Sequence, residues 1–370
     1  MSGDTRQNIV VLVNGGEGSA GGVRARGLFE PLSDRYQVDY FFRDGSKLGS
    51  LRRFFRQTSA LRPNLVYVID TAISGAGAAS LARMLRNRPF LIDTGDLGYE
   101  LAESTGTPGW AGRKIIGLVE AMALRLASGV VVRGTFHKEI LEKAGFRNVH
   151  LIRDGIHVEQ SRPLDVSGLR RELGLDGHLC VGMMGSIRWN RRYQMCYGWD
   201  LIEALGLLEP SLPVCGLIIG DGDGLPVLQK RTAELGLNDR VRFVGRVPYS
   251  EVPQYTNLMD VALSTQTNNR VGQVRTTGKL PEYMAAGCYI LATDVGEARL
   301  LLPDEMRLPY AGVRDDAYPL RLAAKITALA EMDRRQLERT TAGTTARANQ
   351  ELTYSFLSPL AEQAIASVFS

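Results

Sequence analysis

The chain has 370 residues, of which 44% are hydrophobic and 23% charged. This length exceeds one ordinary hydrophobic core and favours two domains, and the composition is typical of a soluble globular protein. No apolar run approaches the ~20 residues that a membrane-spanning helix needs, and the first strand lacks the basic flank of a signal peptide, so we expect a cytoplasmic protein. The net charge of +4 is mild, and it fits an anionic substrate, an acidic membrane surface or no particular partner.

The four cysteines and four histidines show no pattern of a disulfide framework or a metal site. The cysteines are widely spaced without a CxxC pair, and the histidines form no HExxH set. We therefore predict neither structural disulfides nor a bound metal.

The first elements predict the opening unit of a doubly wound α/β sheet. Residues 8–14 read as an apolar strand, a glycine-rich turn follows, and residues 22–32 have the spacing of an amphipathic helix. A dinucleotide-binding GxGxxG motif is an alternative, because Gly16, Gly18 and Gly21 fit its spacing and an aspartate, Asp39, follows in the second strand. The sequence leaves both interpretations open.

The link between the second and third predicted strands is basic and aromatic. Arg52, Arg53 and Arg56 stand beside Phe54 and Phe55. A helix of this composition can lie on an anionic bilayer, with its charges at the head groups and its rings in the interface. The alternative is a solvated basic face with both phenylalanines packed inward.

The fourth predicted strand, residues 89–93, ends in the acidic loop DTGD. Asp93 and Asp96 lie just past the carboxyl end of this strand, where ligands enter open α/β sheets. A carboxylate at this place can act as a base or orient a substrate, and it can equally cap the following turn. The residues themselves do not decide between these roles.

The second half repeats the pattern of strand, glycine turn and helix, which predicts a second Rossmann-like domain. A strand at residues 180–184 is followed by a loop that contains Arg188 and Arg192. Amphipathic helices are predicted at residues 318–330 and from about 333 to 350, and the apolar tail has helical spacing.

The stretch TTGKLPEYMAAGCYILATDVGEA, residues 276–298, predicts a helix followed by a buried strand. Pro281 suits the first position of a helix and Gly287 suits its end. The free N–H groups of a helix N-terminus favour an anion, and Lys279 adds a full positive charge beside them. Glu282, one turn further in, can accept two hydrogen bonds from a vicinal diol such as ribose. An ordinary helix with an exposed glutamate in its first turn is the alternative.

This stretch resembles the signature of the nucleotide-sugar-dependent glycosyltransferases of the GT-B fold, family four (glycosyl transferases group 1). In that family the run E-A-M-A-x-G-x-P-V-[IV]-A-[ST]-x-x-G-G-x-x-E supplies a ribose-binding glutamate and a diphosphate-binding helix N-terminus. The segments around Gly220 and Val247 also resemble family motifs, namely G-x-G-x-x-x-x-[FL] and V-x-F-x-G-x-[VL].

The resemblance implies an α/β fold of the GT-B type, with two Rossmann-like domains facing an interdomain cleft. We expect an acceptor-binding domain over residues 1–160 and a nucleotide-sugar-binding domain over residues 161–352. Residues 353–370 are expected to form a C-terminal helix that crosses back to the first domain.

The resemblance also implies which residues hold the donor and the acceptor. The glycine pair lies at the head of the first helix, the arginines reach the diphosphate, and the backbone at Val247 reads the base edge. The implied donor-binding set comprises Gly21, Gly22, Arg188, Arg192, Gly220, Val247, Thr277, Gly278, Lys279, Leu280 and Glu282. The implied catalytic set comprises Asp93, Asp96, Lys279 and Arg192, of which either aspartate meets the transferred sugar or the acceptor.

The chain departs from the family pattern at several positions. Val274 replaces the first glutamate of the Glu-x7-Glu pair, so a retaining mechanism does not carry over directly. The histidine of the acceptor loop is missing, and DTGD stands instead. In the crossover between the domains, Asp154 replaces an asparagine, Pro163 is kept, and His157 is expected to be a linker residue.

These features predict a retaining, metal-independent glycosyltransferase that moves a sugar from a nucleoside-diphosphate-sugar donor to a hydroxyl of a glycan, a lipid-linked glycan or a small molecule. The donor is a co-substrate, and no other cofactor is expected. A nucleotide-sugar epimerase or hydrolase and a non-catalytic nucleotide binder are the alternatives. We expect no nucleic-acid partner and a weak association with the anionic inner face of the plasma membrane.

Overall fold

The computed structural model describes residues 6–157 and 164–369. Its contacts divide the chain into two units. The first unit holds Met1–His157, Val274–Thr277 and Glu351–Ser370, and the second holds Val158–Gln273 and Gly278–Gln350. Each unit is built around its own parallel six-stranded sheet.

Continuous apolar runs form the strands of the first unit, because helices cover both faces of the sheet. The strands are β1 (Gln7–Val13), β2 (Tyr36–Phe42), β3 (Leu65–Ile69), β4 (Phe90–Thr94), β5 (Gly129–Val132) and β6 (Val149–Leu151). They pair in the order β2-β1-β3-β4-β5-β6. The order reverses at β1 and β3, so the carboxyl ends of these two strands form the switch point at which open α/β sheets bind ligands.

The helices of the first unit form one layer on each face of its sheet. They are α1 (Ala20–Phe29), α2 (Lys47–Leu61), α3 (Ile73–Arg86), α4 (Gly98–Thr105), α5 (Trp110–Leu126), α6 (Thr135–Lys143) and the C-terminal α16 (Tyr354–Ala366). Buried residues of α1 and α16 join one core cluster, and those of α2, α3, α5 and α6 join the cluster on the opposite face. Helix α4 packs against α5.

Helix α1 begins and ends earlier than the sequence predicts. It begins at Ala20 because the hydroxyl of Ser19 caps it by accepting a hydrogen bond from the N–H of Gly22 at 3.2 Å. After Phe29 the chain tightens into a 3-10 turn at Glu30–Leu32.

The aromatic side chains of α2 face inward. Phe54 is fully buried and Phe55 is partly buried in the core beneath the helix. The interpretation in which these two rings enter a bilayer is therefore wrong, and the alternative of a solvated basic face is confirmed.

The second unit repeats this architecture. Its strands are β7 (Leu179–Met184), β8 (Val214–Ile219), β9 (Val241–Gly245), β10 (Val261–Ser264), β11 (Tyr289–Thr293) and β12 (Arg307–Leu308), in the order β12-β11-β10-β7-β8-β9. The accompanying helices are α7 (Ser167–Glu172), α8 (Trp199–Gly206), α9 (Leu225–Glu234), α10 (Val252–Thr256), α11 (Arg270–Val274), α12 (Lys279–Ala285), α13 (Ala298–Leu301), α14 (Tyr318–Ala330) and α15 (Arg334–Glu351). Short 3-10 turns lie at Tyr249–Glu251 and Asp304–Met306.

Helix α14 occupies the predicted range 318–330, which confirms that prediction. None of the described helices combines the length and the apolar composition that crossing a membrane requires. Of the predicted crossover between the two halves, His157 packs its ring 4.9 Å from that of Tyr354, whereas Pro163 lies outside the described residues.

Candidate functional site

Helix α12 begins at Lys279, three residues before the predicted helix core at Glu282. Pro281 is therefore the third helical residue rather than the first, a place it tolerates because the first four N–H groups of a helix have no partner within the helix. No side chain caps this N-terminus, and Gly278 occupies the N-cap position. The lysine consequently belongs to the first turn itself.

The ammonium group of Lys279 lies at the carboxyl end of β7. Its Nζ is 3.9 Å from the centre of the Tyr197 ring, and a Cβ atom added to Gly185 would lie 2.5 Å from it. The ring is held by its hydroxyl, which donates a hydrogen bond to the carbonyl of Leu263 at 2.7 Å. A cation over an aromatic face is attracted by the ring quadrupole, so Tyr197 helps to fix the position of the charge.

Two glycines bring the ends of β7 and β8 into direct contact beside this lysine. Gly185 has a φ of 151° and Gly220 a φ of 135°, values that favour glycine. A Cβ atom on Gly220 would lie 1.8 Å from the carbonyl oxygen of Gly185, which no side chain could accommodate. Gly220 and Lys279, which are both predicted site residues, therefore both lie next to Gly185.

Glu282 lines a small pocket on the other side of α12. The pocket is also lined by Val252, Pro253, Thr256 and Ala286, and the glutamate is half-buried. Helix α10 contributes three of these residues and follows the loop that contains the predicted base-reading residue, Val247. The predicted ribose-binding carboxylate therefore lies beside α10, the helix that follows the loop of Val247 in the chain.

Arg188 and Arg192 are both exposed on the loop after β7. The loop is turned by Asn190, whose side-chain oxygen accepts hydrogen bonds from the N–H groups of Arg192 at 3.0 Å and of the next residue at 3.2 Å. Arg314 fixes the loop by donating hydrogen bonds to the carbonyls of Tyr193 and Gln194 at 2.9 and 3.0 Å. Both side chains are exposed, and the guanidinium group of Arg192 lies 5.4 Å from the centre of the Tyr193 ring.

A buried carboxylate lies behind the same loop. Asp200, in the first turn of α8, is 7% exposed. Burial raises the pKa of Asp200 to about 7, while the nearby guanidinium of Arg314 opposes the shift and Asp315 adds to it. This side chain therefore changes its charge near neutral pH.

In the first unit, Asp93 is fully buried at the end of β4. One carboxylate oxygen accepts hydrogen bonds from Nε of Arg24 and from the hydroxyl of Tyr67, both at 2.8 Å, and the other accepts from Nε of Arg133 at 3.0 Å. Burial acts to raise the pKa of Asp93, but the two guanidinium groups outweigh it and hold the pKa below its usual value. Asp93 is ionised and has no exposed surface for a substrate.

Asp70 presents a carboxylate to solvent at the end of β3. Its side chain is 47% exposed, and its Oδ1 accepts a hydrogen bond from Nη2 of Arg133 at 2.8 Å. Its backbone is left-handed, with a φ of 69°, and the side-chain amide of Asn14 donates to its carbonyl at 2.9 Å. Partial desolvation where the side chain packs against the strand ends raises the pKa of Asp70, Arg133 opposes the shift, and the neighbouring carboxylates add to it.

Asp96 is the more exposed member of the predicted aspartate pair, with 41% of its side chain accessible. Nε of Arg275 lies 3.3 Å from its Oδ1. The next residue, Thr276, donates to Asp154 at 3.1 Å, so residues 275 and 276 both contact carboxylates at this edge of the first sheet. Val274, which replaces the family's glutamate, is fully buried.

The predicted glycine pair lies at the switch point of the first sheet. A Cβ atom on Gly21 would contact Ile69 at 3.2 Å and the carboxylate of Asp70 at 3.6 Å, whereas one on Gly22 would overlap the carbonyl of Glu17 at 2.0 Å. Gly22 is therefore required for packing of the turn. Asp39 pairs with Val10 in the middle of β2, so it does not stand at the strand end where a dinucleotide ribose would need it.

The predicted site residues thus fall into two groups. The second unit brings together Gly220, Gly278, Lys279, Leu280 and Glu282, with the arginines on a neighbouring loop. The first unit holds Gly21, Gly22, Asp93, Asp96 and also Thr277.

Sequence reasoning missed four residues at the site in the first unit: Asp70, Arg24, Arg133 and, as a site residue, Asp154. Asp70 and Arg133 directly follow β3 and β5, so their place after buried strands was an available signal. Nothing in the sequence indicated that Arg24 turns inward from α1.

The comparisons with known proteins agree with the predicted resemblance. Residues 180–332 match the family model described as glycosyl transferases group 1. A 191-residue region is 27% identical to the 2-deoxystreptamine glucosyltransferase of Streptomyces kanamyceticus and covers 49% of this chain and 46% of that protein. The match therefore spans about half the length of this curated relative.

Solved structures resemble the whole chain. HepE of Anabaena in complex with UDP and glucose is 19% identical, with a TM-score of 0.77 over 98% of this chain and 100% of the other. Sucrose-phosphate synthase of Thermosynechococcus elongatus is also 19% identical, with a TM-score of 0.77 over 98% and 99% of the two chains. The chain is an α/β protein of the GT-B fold with two Rossmann-like units, which confirms the predicted fold class.

Proposed function

We propose that the protein is a glycosyltransferase that uses a nucleoside-diphosphate-sugar donor. The observation that carries this proposal is the position of Lys279, whose ammonium group lies against Gly185 at the adjacent carboxyl ends of β7 and β8. This arrangement lies within residues 180–332, the region that matches the group 1 glycosyl transferases. It sets a fixed positive charge beside backbone that can approach a diphosphate closely.

The second unit would hold the donor and stabilise its leaving group. During transfer, the bond between the anomeric carbon and the diphosphate oxygen breaks, and its electron pair stays on the diphosphate. Lys279, the N–H groups of the first turn of α12 and a guanidinium of Arg188 or Arg192 would neutralise this developing charge, a role that suits forked, charge-assisted donors. These cations support departure of the diphosphate without a metal, and Glu282 would hold the ribose diol.

The first unit would hold the acceptor. The acceptor hydroxyl would pass its proton to Asp96 as its oxygen bonds to the anomeric carbon, since Asp96 is the predicted aspartate with exposed carboxylate surface. Asp93 would act indirectly, since its ion pairs with Arg24 and Arg133 fix the strand ends. We propose retention at the anomeric carbon on family resemblance. Val274 replaces the family's first glutamate, so the family's mechanism does not carry over directly.

UDP-glucose is the first donor to test, because HepE of Anabaena, a structural neighbour, was solved in complex with UDP-glucose. The curated relative is a glucosyltransferase that acts on 2-deoxystreptamine, so an aminocyclitol belongs in the acceptor panel beside sugars and lipid-linked glycans. No cofactor besides the donor is part of the proposal. A cytoplasmic location, with weak association at the inner face of the plasma membrane, also belongs to it.

Release of the nucleoside diphosphate, with and without acceptor, tests this function. A glycosyltransferase releases it in proportion to the acceptor glycosylated, and NMR of the product gives its anomeric configuration. Turnover of the donor without acceptor would instead indicate an epimerase or hydrolase, and binding without turnover a non-catalytic nucleotide binder. Lys325→Met is a matched control for Lys279→Met, because Lys325 also lies over a tyrosine ring, that of Tyr289, at 5.7 Å.

A further inference from the structure

Asp70 lies at the switch point of the first sheet in a backbone conformation that aspartate seldom adopts. Among the described residues, four other than glycine have a positive φ. Arg62 and Asn87 owe it to their places at the C-terminal ends of α2 and α3, and Gln194 lies in the loop after β7. Asp70 instead follows a strand, with a φ of 69°. Strained backbone of this kind persists where the surrounding structure enforces it, and such residues cluster at binding and catalytic sites.

Three hydrogen bonds enforce the conformation of Asp70. Its N–H donates to the carbonyl of Asp93 at 2.8 Å, and its carbonyl accepts from the side-chain amide of Asn14 at 2.9 Å. Its Oδ1 accepts from Nη2 of Arg133 at 2.8 Å. Asn14 is itself fixed, because its amide group also donates to the carbonyl of Ile69 at 2.8 Å. Both the backbone and the side chain of Asp70 are therefore held in place before a substrate binds.

The second carboxylate oxygen of Asp70 is available to a ligand. No hydrogen bond from the described part of the chain reaches Oδ2, and 47% of the side chain is accessible. Gly21 keeps the neighbouring space open, since even a Cβ atom there would lie 3.6 Å from Oδ2. One oxygen is thus bound to the protein, and the other lies beside the first turn of α1, where ligands of open α/β sheets bind.

The cations beside Asp70 face the protein. The side chain of Arg133 is 13% exposed and divides its donors between Asp70 and Asp93, whereas that of Arg24 is 2% exposed and pairs with Asp93. A group that reaches Oδ2 therefore meets a carboxylate and no free guanidinium of this pair. An ionised carboxylate only accepts hydrogen bonds, so it selects a donor such as a hydroxyl or an ammonium group and repels a phosphate.

We propose that Asp70 orients the acceptor by accepting a hydrogen bond from a hydroxyl or ammonium group next to the reacting hydroxyl. This inference rests on the proposed function, and it gives the acceptor class: a ring polyol or amino alcohol, as opposed to an alcohol with a single polar group. Asp70 and Asp96 follow the paired strands β3 and β4, so both carboxylates belong to one edge of the sheet. Asp96 would take the proton of the reacting hydroxyl while Asp70 holds the neighbouring group.

Rates of transfer to three acceptors test the proposal with the full-length protein. 2-Deoxystreptamine carries hydroxyl and ammonium groups next to its hydroxyls, myo-inositol carries hydroxyl groups only, and cyclohexanol carries neither. Asp70→Asn removes the charge but keeps an oxygen that can accept from Arg133. The variant should fold, because asparagine tolerates a left-handed backbone. Asp304→Asn is the matched control, since Asp304 is exposed and also pairs with an arginine, Arg307, in the second unit.

The wild type and the control should transfer to 2-deoxystreptamine and myo-inositol with a kcat/KM about a hundredfold above that for cyclohexanol. Asp70→Asn should lower kcat/KM for the two ring polyols by about thirtyfold, which is typical of the loss of one hydrogen bond to a charged group. Its rate with cyclohexanol and its donor KM should be unchanged. A larger loss for 2-deoxystreptamine than for myo-inositol identifies the neighbouring group as an ammonium, and an equal loss identifies it as a hydroxyl.

Asp96→Asn provides the contrast, because loss of the base should lower transfer to all three acceptors. If Asp70→Asn is unstable, Asp70→Gly serves the same test, since glycine adopts this backbone without strain. Circular dichroism and thermal unfolding establish that each variant is folded.

Equal losses for all three acceptors in Asp70→Asn would show that Asp70 only supports the fold, and unchanged rates would show that it does not contact the acceptor. Either result would overturn the proposal. Transfer to cyclohexanol as fast as to the polyols, or transfer to other alcohols and to neither polyol, would also overturn it and leave the proposed function standing. Absence of transfer to every acceptor would contradict the proposed function itself, and this inference with it.

Discussion

The Nζ of Lys279 lies 3.9 Å from the centre of the Tyr197 ring, at the carboxyl ends of the strands of the second unit. The ring is fixed by its hydrogen bond to Leu263, and Gly185 leaves room for the ammonium group because it has no side chain. The charge is thus preorganised before any ligand arrives, which is the condition under which an electrostatic group lowers a barrier most effectively.

Replacement of Lys279 should therefore affect the chemical step more than donor binding. For Lys279→Met we expect kcat to fall by about a hundredfold, which is typical when one preorganised charge or donor is removed from a transition state. Steady-state kinetics with saturating acceptor measures this effect. A Lys279→Met variant with the kcat of the Lys325→Met control would show that the ammonium group is not at the leaving group.

Glu282 should affect donor affinity through the ribose. Glu282→Ala should raise the donor KM by about tenfold, equivalent to the loss of one charge-assisted hydrogen bond, and leave kcat nearly unchanged. The sharper readout is the preference for the ribose donor over its 2′-deoxy analogue, which should be present in the wild type and lost in the variant. A preference that survives in Glu282→Ala would place the ribose elsewhere.

The two aspartates after β4 should respond oppositely to substitution. Asp93→Asn should lower the free energy of unfolding by about 3 kcal/mol, because it leaves the buried guanidinium groups of Arg24 and Arg133 without their shared partner. Asp96→Asn should leave stability nearly unchanged and lower kcat by about a hundredfold or more, as loss of a positioned base does. Urea denaturation and kinetics of both variants test the contrast, which fails if Asp96→Asn keeps wild-type kcat.

Asp200 should make the stability of the protein depend on pH. Its pKa is raised to about 7 in the folded chain from 3.8, so between these values the folded state binds a proton that the unfolded state has lost. The contribution to stability is present below the unfolded pKa and is lost as pH rises toward 7, up to about 4 kcal/mol on the conversion of pKa shifts to free energy.

Asp200→Asn should remove this dependence. Urea midpoints of the wild type and the variant at pH 5 and pH 8 measure it, and the variant should gain stability relative to the wild type as pH rises. The contributions of other titrating groups cancel in the stability difference between the wild type and the variant. A wild-type-minus-variant difference that does not change with pH would show that Asp200 titrates normally.

The strands and helices could be predicted because the residue pattern within each segment is enough to specify them. The strands are continuous apolar runs, and the apolar spacing of residues 318–330 corresponds to α14. The sequence predicts too late a start for α12 because Pro281 suits the first position of a helix, whereas the helix extends back to Lys279.

The electrostatic part of the first unit was not predictable from local sequence. Asp93 and Arg24 are 69 positions apart, and Arg133 follows Asp93 by 40, so their pairing depends on which strands become neighbours. The sequence therefore could not show that both carboxylate oxygens of Asp93 are occupied by ion pairs. Nor could it show that Asp70, on a left-handed backbone, faces solvent. In the second unit Lys279 and Glu282 share one short helix, and their neighbourhood could be inferred from spacing alone.

A thermal-unfolding panel tests the central claim most directly, with the wild type and the Lys279→Met and Lys325→Met variants in UDP, GDP, ADP, TDP and NAD. We predict that one nucleoside diphosphate stabilises the wild type, by ~2.7 kcal/mol at about 100 times its Kd. NAD should have no effect, and Lys325→Met should keep the stabilisation. Lys279→Met should lose most of it, because the free nucleoside diphosphate carries the charge that develops on the leaving group, whereas the intact donor does not. Equal stabilisation of Lys279→Met and the wild type, or stabilisation by NAD alone, would contradict a diphosphate site at α12.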